Sequence, residues 1–354
     1  MNRREWLALV ASVLPSSRLG LYAQPPAFED ILKIDVHSHV FEHVPSLVDM
    51  LRRNKVRTMN VCNNGSDGHI ATMHRIALDL FKKYPDLFPF CSTFDVTGVN
   101  STGYSARVID WLDGTFRQGA VAVKIWKEVR LQVKKRDGSF MLPDDSVFDP
   151  IYAHLARSRK PLLAHLAEPI DAWLPLDPDS PHYRYYSTNP QWHLYGKSEY
   201  PTHAAIIAAR DRILEKHPTL TLIGAHLGSL EHDLDGIATR LDRYPNFHVE
   251  VAARTRNLAR HPSDKVRTLF LKYQDRIMYG VDASWKPYLG PAPTEAQRQD
   301  HVKRLEERYR VDWQYYAGSG DMQYDGRPAE ALGLPRDVLE KFYHRNARRL
   351  IALR

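Results

Sequence analysis

With two cysteines in 354 residues, Cys62 and Cys91, the chain has no disulfide framework to staple it. Both lie in apolar, strand-like runs, where buried free thiols are the common outcome; a bridge between them in an oxidising compartment is the alternative. Long hydrophobic runs are also missing. No stretch reaches the roughly 20 consecutive apolar residues that cross a bilayer, which excludes membrane insertion by a helix. Nor is charge of one sign concentrated. Lys and Arg number 49 against 42 Asp and Glu, a net +7, yet the densest basic run is Lys134-Lys135-Arg136, too short for a nucleic-acid footprint. No sequence period repeats, so a solenoid is not indicated. What remains is ordinary globular composition, 43% hydrophobic and 26% charged, with ample length for a large core.

The first residues place Arg3-Arg4 ahead of the apolar run Trp6 to Leu14, followed by small and polar residues up to Gln24-Pro25. That layout is expected of an export signal over residues 1–23, similar to the twin-arginine type, with residues 24–354 forming one folded domain in the periplasm or outside the cell. If residues 1–23 are instead an amphipathic first helix, the protein is cytoplasmic.

Beyond the leader, β-rich runs alternate with helical patterns. Strands are predicted near Lys33 to Val40, Val56 to Asn63, Leu87 to Asp95, Ala120 to Trp126, Pro161 to Leu166, Leu220 to His226, Phe247 to Ala252 and Ile277 to Asp282. Between them, apolar residues recur at three and four, as in His69 to Tyr84 and Tyr104 to Arg117. Eight strand–helix units imply parallel pairing and an α/β fold, a (β/α)8 TIM barrel. Two long interruptions follow strands, residues 168–200 and 284–335. In a barrel such segments lie over the catalytic face, so both are expected to shape a pocket as long loops.

The strand ends carry the chemistry. His37 and His39 are two positions apart, so their imidazoles leave one strand on the same face. Lys124, His165, His226 and Asp282 fall at the carboxyl ends of the fourth, fifth, sixth and eighth predicted strands. His165 follows His37 by 128 positions over four units, and Asp282 follows His226 by 56 over two. Both match the roughly 31 residues per unit of a barrel of about 250 residues. Four histidines and an aspartate around one barrel mouth suit a divalent transition metal, since neutral imidazole and carboxylate are ligands of zinc and its neighbours.

The segments Asp35-Val36-His37-Ser38-His39, Leu163-Ala164-His165, Gly224-Ala225-His226-Leu227-Gly228 and Tyr279-Gly280-Val281-Asp282 resemble the amidohydrolase superfamily, more narrowly the branch that includes aminocarboxymuconate-semialdehyde decarboxylase. The terminal run Leu334 to Ala347 is similar to that branch's closing helix. The resemblance implies that His37, His39, His165 and Asp282 hold one metal ion, zinc by ligand type, with a water completing the shell. It also implies that His226 is the base for that water and that Asp282 shares the proton. Lys124 is ambiguous. In binuclear relatives the strand-four lysine is carboxylated and bridges a second ion; in the mononuclear branch it stays an amine and holds substrate.

Around this set, Trp126 is a candidate pocket wall, Lys127 is expected at the surface, and Arg254 after the seventh strand is a candidate anion clamp. His193 and Tyr195 in the first interruption are candidate substrate contacts. The expected activity is hydrolysis of an ester, lactone or amide by metal-activated water, with nonoxidative decarboxylation or hydration on the same site as the alternative. The expected partner is a small-molecule substrate, and a homo-oligomer is compatible with the chain.

Overall fold

A computed structural model describes residues 26–63 and 69–351, so the leader expected over residues 1–23 lies outside the described residues. Eight parallel strands run in chain order around one sheet: β1 (Lys33–Val40), β2 (Val56–Val61), β3 (Phe90–Thr93), β4 (Ala122–Ile125), β5 (Leu162–Ala164), β6 (Leu222–Gly224), β7 (Phe247–Glu250) and β8 (Ile277–Met278). A ninth short strand, β9 (Ser284–Trp285), pairs in parallel with β1, His39 opposite Ser284. Backbone bonds from Val36 N to Tyr279 O, Asp282 N to His37 O and His39 N to Ala283 O stitch the eighth strand's segment to the first. The sheet therefore closes on itself as the predicted barrel.

All eight predicted strands are present; the first keeps its predicted bounds, Lys33–Val40, and the other seven are shorter than predicted. Every residue of β1, β3, β4, β5, β6, β7 and β8 is buried, as expected for parallel strands covered on both faces. Ile34, Val36, Met59, Val61, Cys91, Leu163, Ile223 and Met278 pack inside the barrel, together with Ala347 and Ile351 from the C-terminal helical segment. That segment fixes the bottom of the barrel, because Asn346 Nδ2 donates to Ile277 O at 2.8 Å and to Gln274 O at 2.7 Å. Cys62 and Cys91 are buried free thiols.

The outer layer consists of α1 (Pro45–Arg53), α2 (Ile70–Lys83), α3 (Tyr104–Arg117), α4 (Asp149–Arg157), α5 (His203–Lys216), α6 (Leu234–Arg243), α7 (Ser263–Lys272) and α8 (Glu295–Ala317). Among the described residues no helix is long and apolar enough to cross a membrane. Local signals set their starts: Pro45 opens α1, Thr202 Oγ1 caps Ala205 N, and Thr294 with Gln297 forms a reciprocal capping box on α8.

The second interruption departs from expectation. Only its beginning, with Ser284 and Lys286, lies against a cavity at the barrel mouth. The remainder forms α8, which packs on α1, and an antiparallel hairpin, β10 (Ser319–Tyr324) with β11 (Arg327–Leu332). The cause is a set of buried hydroxyl–carboxylate bonds to the barrel. Tyr309 donates to Asp35 Oδ2 at 3.0 Å, while Asp312, fully buried, accepts from Tyr279 at 2.9 Å and from Arg308 at 3.0 Å.

Candidate metal centre

Backbone strain is concentrated where the strands end. Among the described residues, eight non-glycine residues have positive φ, and five of them, His226, Leu227, Ser229, Ala253 and Asp282, follow β6, β7 and β8. Such conformations cost of order 1–3 kcal/mol each and persist where surrounding structure enforces them. The Gly224-Ala225-His226-Leu227-Gly228 run permits the left-handed turn. A Cβ on Gly224 would lie 2.8 Å from the Phe247 ring and from Gly228 Cα, and Gly228 itself has φ +62.

The turn delivers His226 to the mouth, where it meets side chains from the first and eighth strands. His37, His39 and Asp282 bring one potential ligand atom each to within 4.8 Å of one another. Asp282 Oδ1 is 3.3 Å from His39 Nε2 and 3.8 Å from His37 Nε2, and its Oδ2 is 4.0 Å from His226 Nε2. The far nitrogens are all tied down. His37 Nδ1 donates to Glu250 Oε1 at 2.8 Å, His39 Nδ1 to Val61 O at 2.6 Å and His226 Nδ1 to Ala252 O at 2.7 Å. Carbonyl and carboxylate oxygens only accept, so each ring carries its proton on Nδ1 and presents the Nε2 lone pair. This is the arrangement by which outer partners orient metal-ligating imidazoles.

His165 stands beside His226 at the same mouth. Its ring centroid is 4.4 Å from that of His226, and its buried Nε2 has no hydrogen-bond partner. A buried polar atom left unpaired costs about 1–3 kcal/mol, so this nitrogen is a site for something beyond the protein chain. Protonation states agree. Burial holds His37 and His165 well below the ordinary imidazole range, His39 down to about 4 and His226 to about 3, so all are neutral near pH 7. Although burial acts to raise Asp282, its place among His37, His39 and His226 outweighs burial and holds the carboxyl well below its ordinary range. Neutral imidazoles around one carboxylate fit a divalent transition metal, with His37, His39 and Asp282 grouped closely enough to hold it.

Lys124 Nζ lies 3.0 Å from His37 Nε2, and burial lowers it to about 8, so its side chain belongs to the site. Glu250 was not among the candidates from sequence. It is fully buried, and besides His37 it accepts from His226 N at 2.9 Å and from Ala252 N, linking three strand ends through one carboxylate. Its own signal, an acid inside an otherwise apolar strand, was legible in Phe247–Glu250.

Two cavities meet at the centre. The smaller, about 190 Å³, is lined by His37, His39, Lys124, Trp126, Asp282 and Lys286 among others; the larger, about 440 Å³, by His182, His226, Arg184, Arg254 and Arg256 among others. Lys127, His165, Tyr185 and Asp282 border both. Trp126 thus stands in the wall as expected, edge-on to Trp192. Lys127, expected at the surface, is buried. Its ammonium pairs with Glu168, donates to Tyr185 OH at 3.1 Å and lies 3.9 Å from the Trp192 ring centre. The first interruption supplies that aromatic box, which a reading of Lys127's neighbours in sequence does not contain. His193 and Tyr195 border neither cavity: His193 Nε2 is 2.9 Å from Leu174 O, and Tyr195 is 54% exposed.

Comparison with known proteins agrees with this geometry. No curated protein sequence matches the chain. Among solved structures, a 2,6-dihydroxybenzoate decarboxylase complexed with 2,6-dihydroxybenzoate has TM-score 0.53 at 15% identity, covering 91% of this chain and 100% of the other. An amidohydrolase II structure has TM-score 0.52 at 15% identity, with 90% and 99% covered. The 4-oxalomesaconate hydratase from Rhodopseudomonas palustris has TM-score 0.50 at 11% identity, with 91% and 96% covered. At such identities the likeness is one of fold. The family model described as Amidohydrolase matches residues 94–353, which include His165, His226 and Asp282, and the chain therefore belongs to the amidohydrolase family of metal-dependent enzymes.

Proposed function

We propose that this enzyme hydrolyses an ester, lactone or amide bond in a small-molecule substrate, with zinc as its ion. The observation that carries the reading is the convergence of neutral Nε2 lone pairs on Asp282, three of them within 3.3–4.0 Å of its carboxylate. His37, His39, His165 and Asp282 would hold a divalent ion, which would supply Lewis acidity and ease the deprotonation of water at neutral pH.

The chain's own residues do the rest. His226, neutral and locked with its proton on Nδ1 by Ala252 O, presents Nε2 as the acceptor for the proton of the attacking water. Asp282, 4.0 Å away, stabilises the imidazolium that forms. Lys124 and Lys127 border the smaller cavity and attract the developing negative charge on a substrate oxygen.

A second reading, nonoxidative decarboxylation or hydration, is favoured by the excess of cations in the lining, which suits a substrate that is itself a carboxylic acid. The names of the decarboxylase and hydratase of similar fold point the same way. Incubating the purified protein with aryl esters, lactones, amides, and aromatic and dienoic acids separates the two. Release of acid from the carbonyl compounds supports hydrolysis; carbon dioxide with no carbonyl cleavage overturns it.

A further inference from the structure

The larger cavity holds more positive charge than the proposed hydrolysis uses. Its lining includes Lys127, Arg184, Arg254 and Arg256 against two carboxylates, Glu168 and Asp282. Glu168 is taken by Lys127, and Asp282 belongs to the metal centre. The three arginines have no carboxylate left to pair with inside the lining. Arg254 Nε and Arg256 Nε are buried and without hydrogen bonds, Arg254 Nε facing Glu231 rather than the cavity.

Arg254 is more than nine-tenths buried and is held from behind. It follows Ala253, whose φ of +55 turns the chain out of β7, and its Nη1 donates to Ala253 O at 3.2 Å. Glu231, fully buried, places Oε2 3.5 Å from Arg254 Nε, and neither of its carboxylate oxygens has a hydrogen bond. An acid buried behind a guanidinium fixes its plane and balances its charge without occupying the cavity. Arg256 is balanced only distantly, by Asp325 Oδ2 at 3.7 Å. His182, which also borders the cavity, is buried and neutral, its Nε2 3.1 Å from Asn257 Nδ2. Asp171, His182 and Glu231 do lie close enough together to suggest a cation. The adjoining guanidiniums of Arg254 and Arg256 oppose one, and Nε2 of His182 already accepts from Asn257.

We propose that Arg254 and Arg256 form an anion subsite, so that the substrate carries a carboxylate or phosphate group remote from the bond that reacts beside Asp282 and His226. The inference rests on the larger cavity being the substrate cavity of the proposed hydrolase. A guanidinium presents paired N–H donors that match the oxygens of either anion, and a preformed, partly desolvated pair strengthens the contact.

The test is calorimetric titration of the full-length purified protein with benzoate, phenyl phosphate and inorganic phosphate. It compares wild type with R254M, R256M, H37A and, as a control outside the cavity lining, R260M. Loss of charge-assisted bonds should weaken anion binding about 10- to 100-fold in R254M and in R256M, and leave H37A and R260M near wild type. Should R254M fail to fold because Glu231 is orphaned, R254K, which keeps the charge but loses the fork, and R256M carry the test. Tighter binding of benzoate or of the phosphates names the remote group, and either upholds the subsite. Wild type that binds none of the three anions at millimolar concentration overturns it. So does anion binding that disappears in H37A but persists in R254M and R256M, since the anion is then on the metal. Anion binding through the arginines without any carbonyl cleavage leaves the subsite standing and removes only the hydrolase reading; cleavage without such binding does the reverse.

Discussion

The two long interruptions of the barrel, residues 168–200 and 284–335, both follow strands, yet they end in different layers. The first stays at the mouth. Glu168, His182 and Tyr185 border the larger cavity, and Trp192 and Tyr185 box in Lys127. The second touches the mouth only through Ser284 and Lys286, then becomes α8 and the β10–β11 hairpin in the outer layer. Position after a strand brings a segment to the catalytic face; what keeps it there is its bonding. The first interruption consists of short turns whose aromatic rings pack on one another and on a buried ammonium. The second is a capped helix of 23 residues with a buried Tyr309 and Asp312, and those two groups find their partners on β1 and beside β8. One insertion should therefore govern chemistry, and the other stability.

The comparison can be broken or sharpened by mutation. The largest effect is expected at the metal centre itself. His37→Ala or His39→Ala should abolish turnover and leave elemental analysis with less than one ion per chain, because each removes a ligand whose outer partner already fixes its geometry. Full metal occupancy in either variant would disprove the assigned shell. Next, His226→Ala should lose about 10²- to 10⁴-fold in kcat while retaining the metal, the cost of a missing general base. If it is His165→Ala that keeps the metal and His226→Ala that loses it, the two roles are exchanged.

Asp312→Ala should destabilise the fold by about 3 kcal/mol in urea unfolding, since it strips Arg308, Tyr279 and Tyr324 of one shared buried acceptor. Metal content should be unchanged, and a variant that is stable but metal-depleted would show that the outer insertion controls the site after all. Acid should act on the scaffold too. Burial lowers His203 to about 4 and His248 to about 3, below the unfolded value near 6.5. The unfolded chain then binds more protons, so stability present above pH 6.5 is lost as pH falls toward 4, by on the order of a few kcal/mol. A flat unfolding midpoint between pH 6.5 and 4.5 contradicts those neutral imidazoles. Smallest of all, if residues 1–23 are an export signal, deleting them should shift the unfolding free energy by less than about 0.5 kcal/mol. A deletion that unfolds the domain makes the leader a structural helix rather than an export signal.

Much of this was legible in the order of residues. Alternating strand and helix periods with ligand-type residues at regular strand ends specify a parallel barrel, because a period of two and a unit length near 31 residues are local properties. The same regularity put His37, His39, His165, His226 and Asp282 at one mouth. Local chemistry also marked the helix starts at Pro45, Thr202 and Thr294.

Other features depended on partners far away in the chain. Glu250 orients His37 across 213 positions, and Tyr309 reaches Asp35 across 274. Lys127 looks like a surface lysine until Glu168, Tyr185 and Trp192 fold over it. A side chain's burial, tautomer and pairing are set by atoms that sequence spacing does not bring together, so the ligand types were written in the sequence, while the orientation of each imidazole, the fate of each insertion and the arginines of the larger cavity were decided only when the barrel closed.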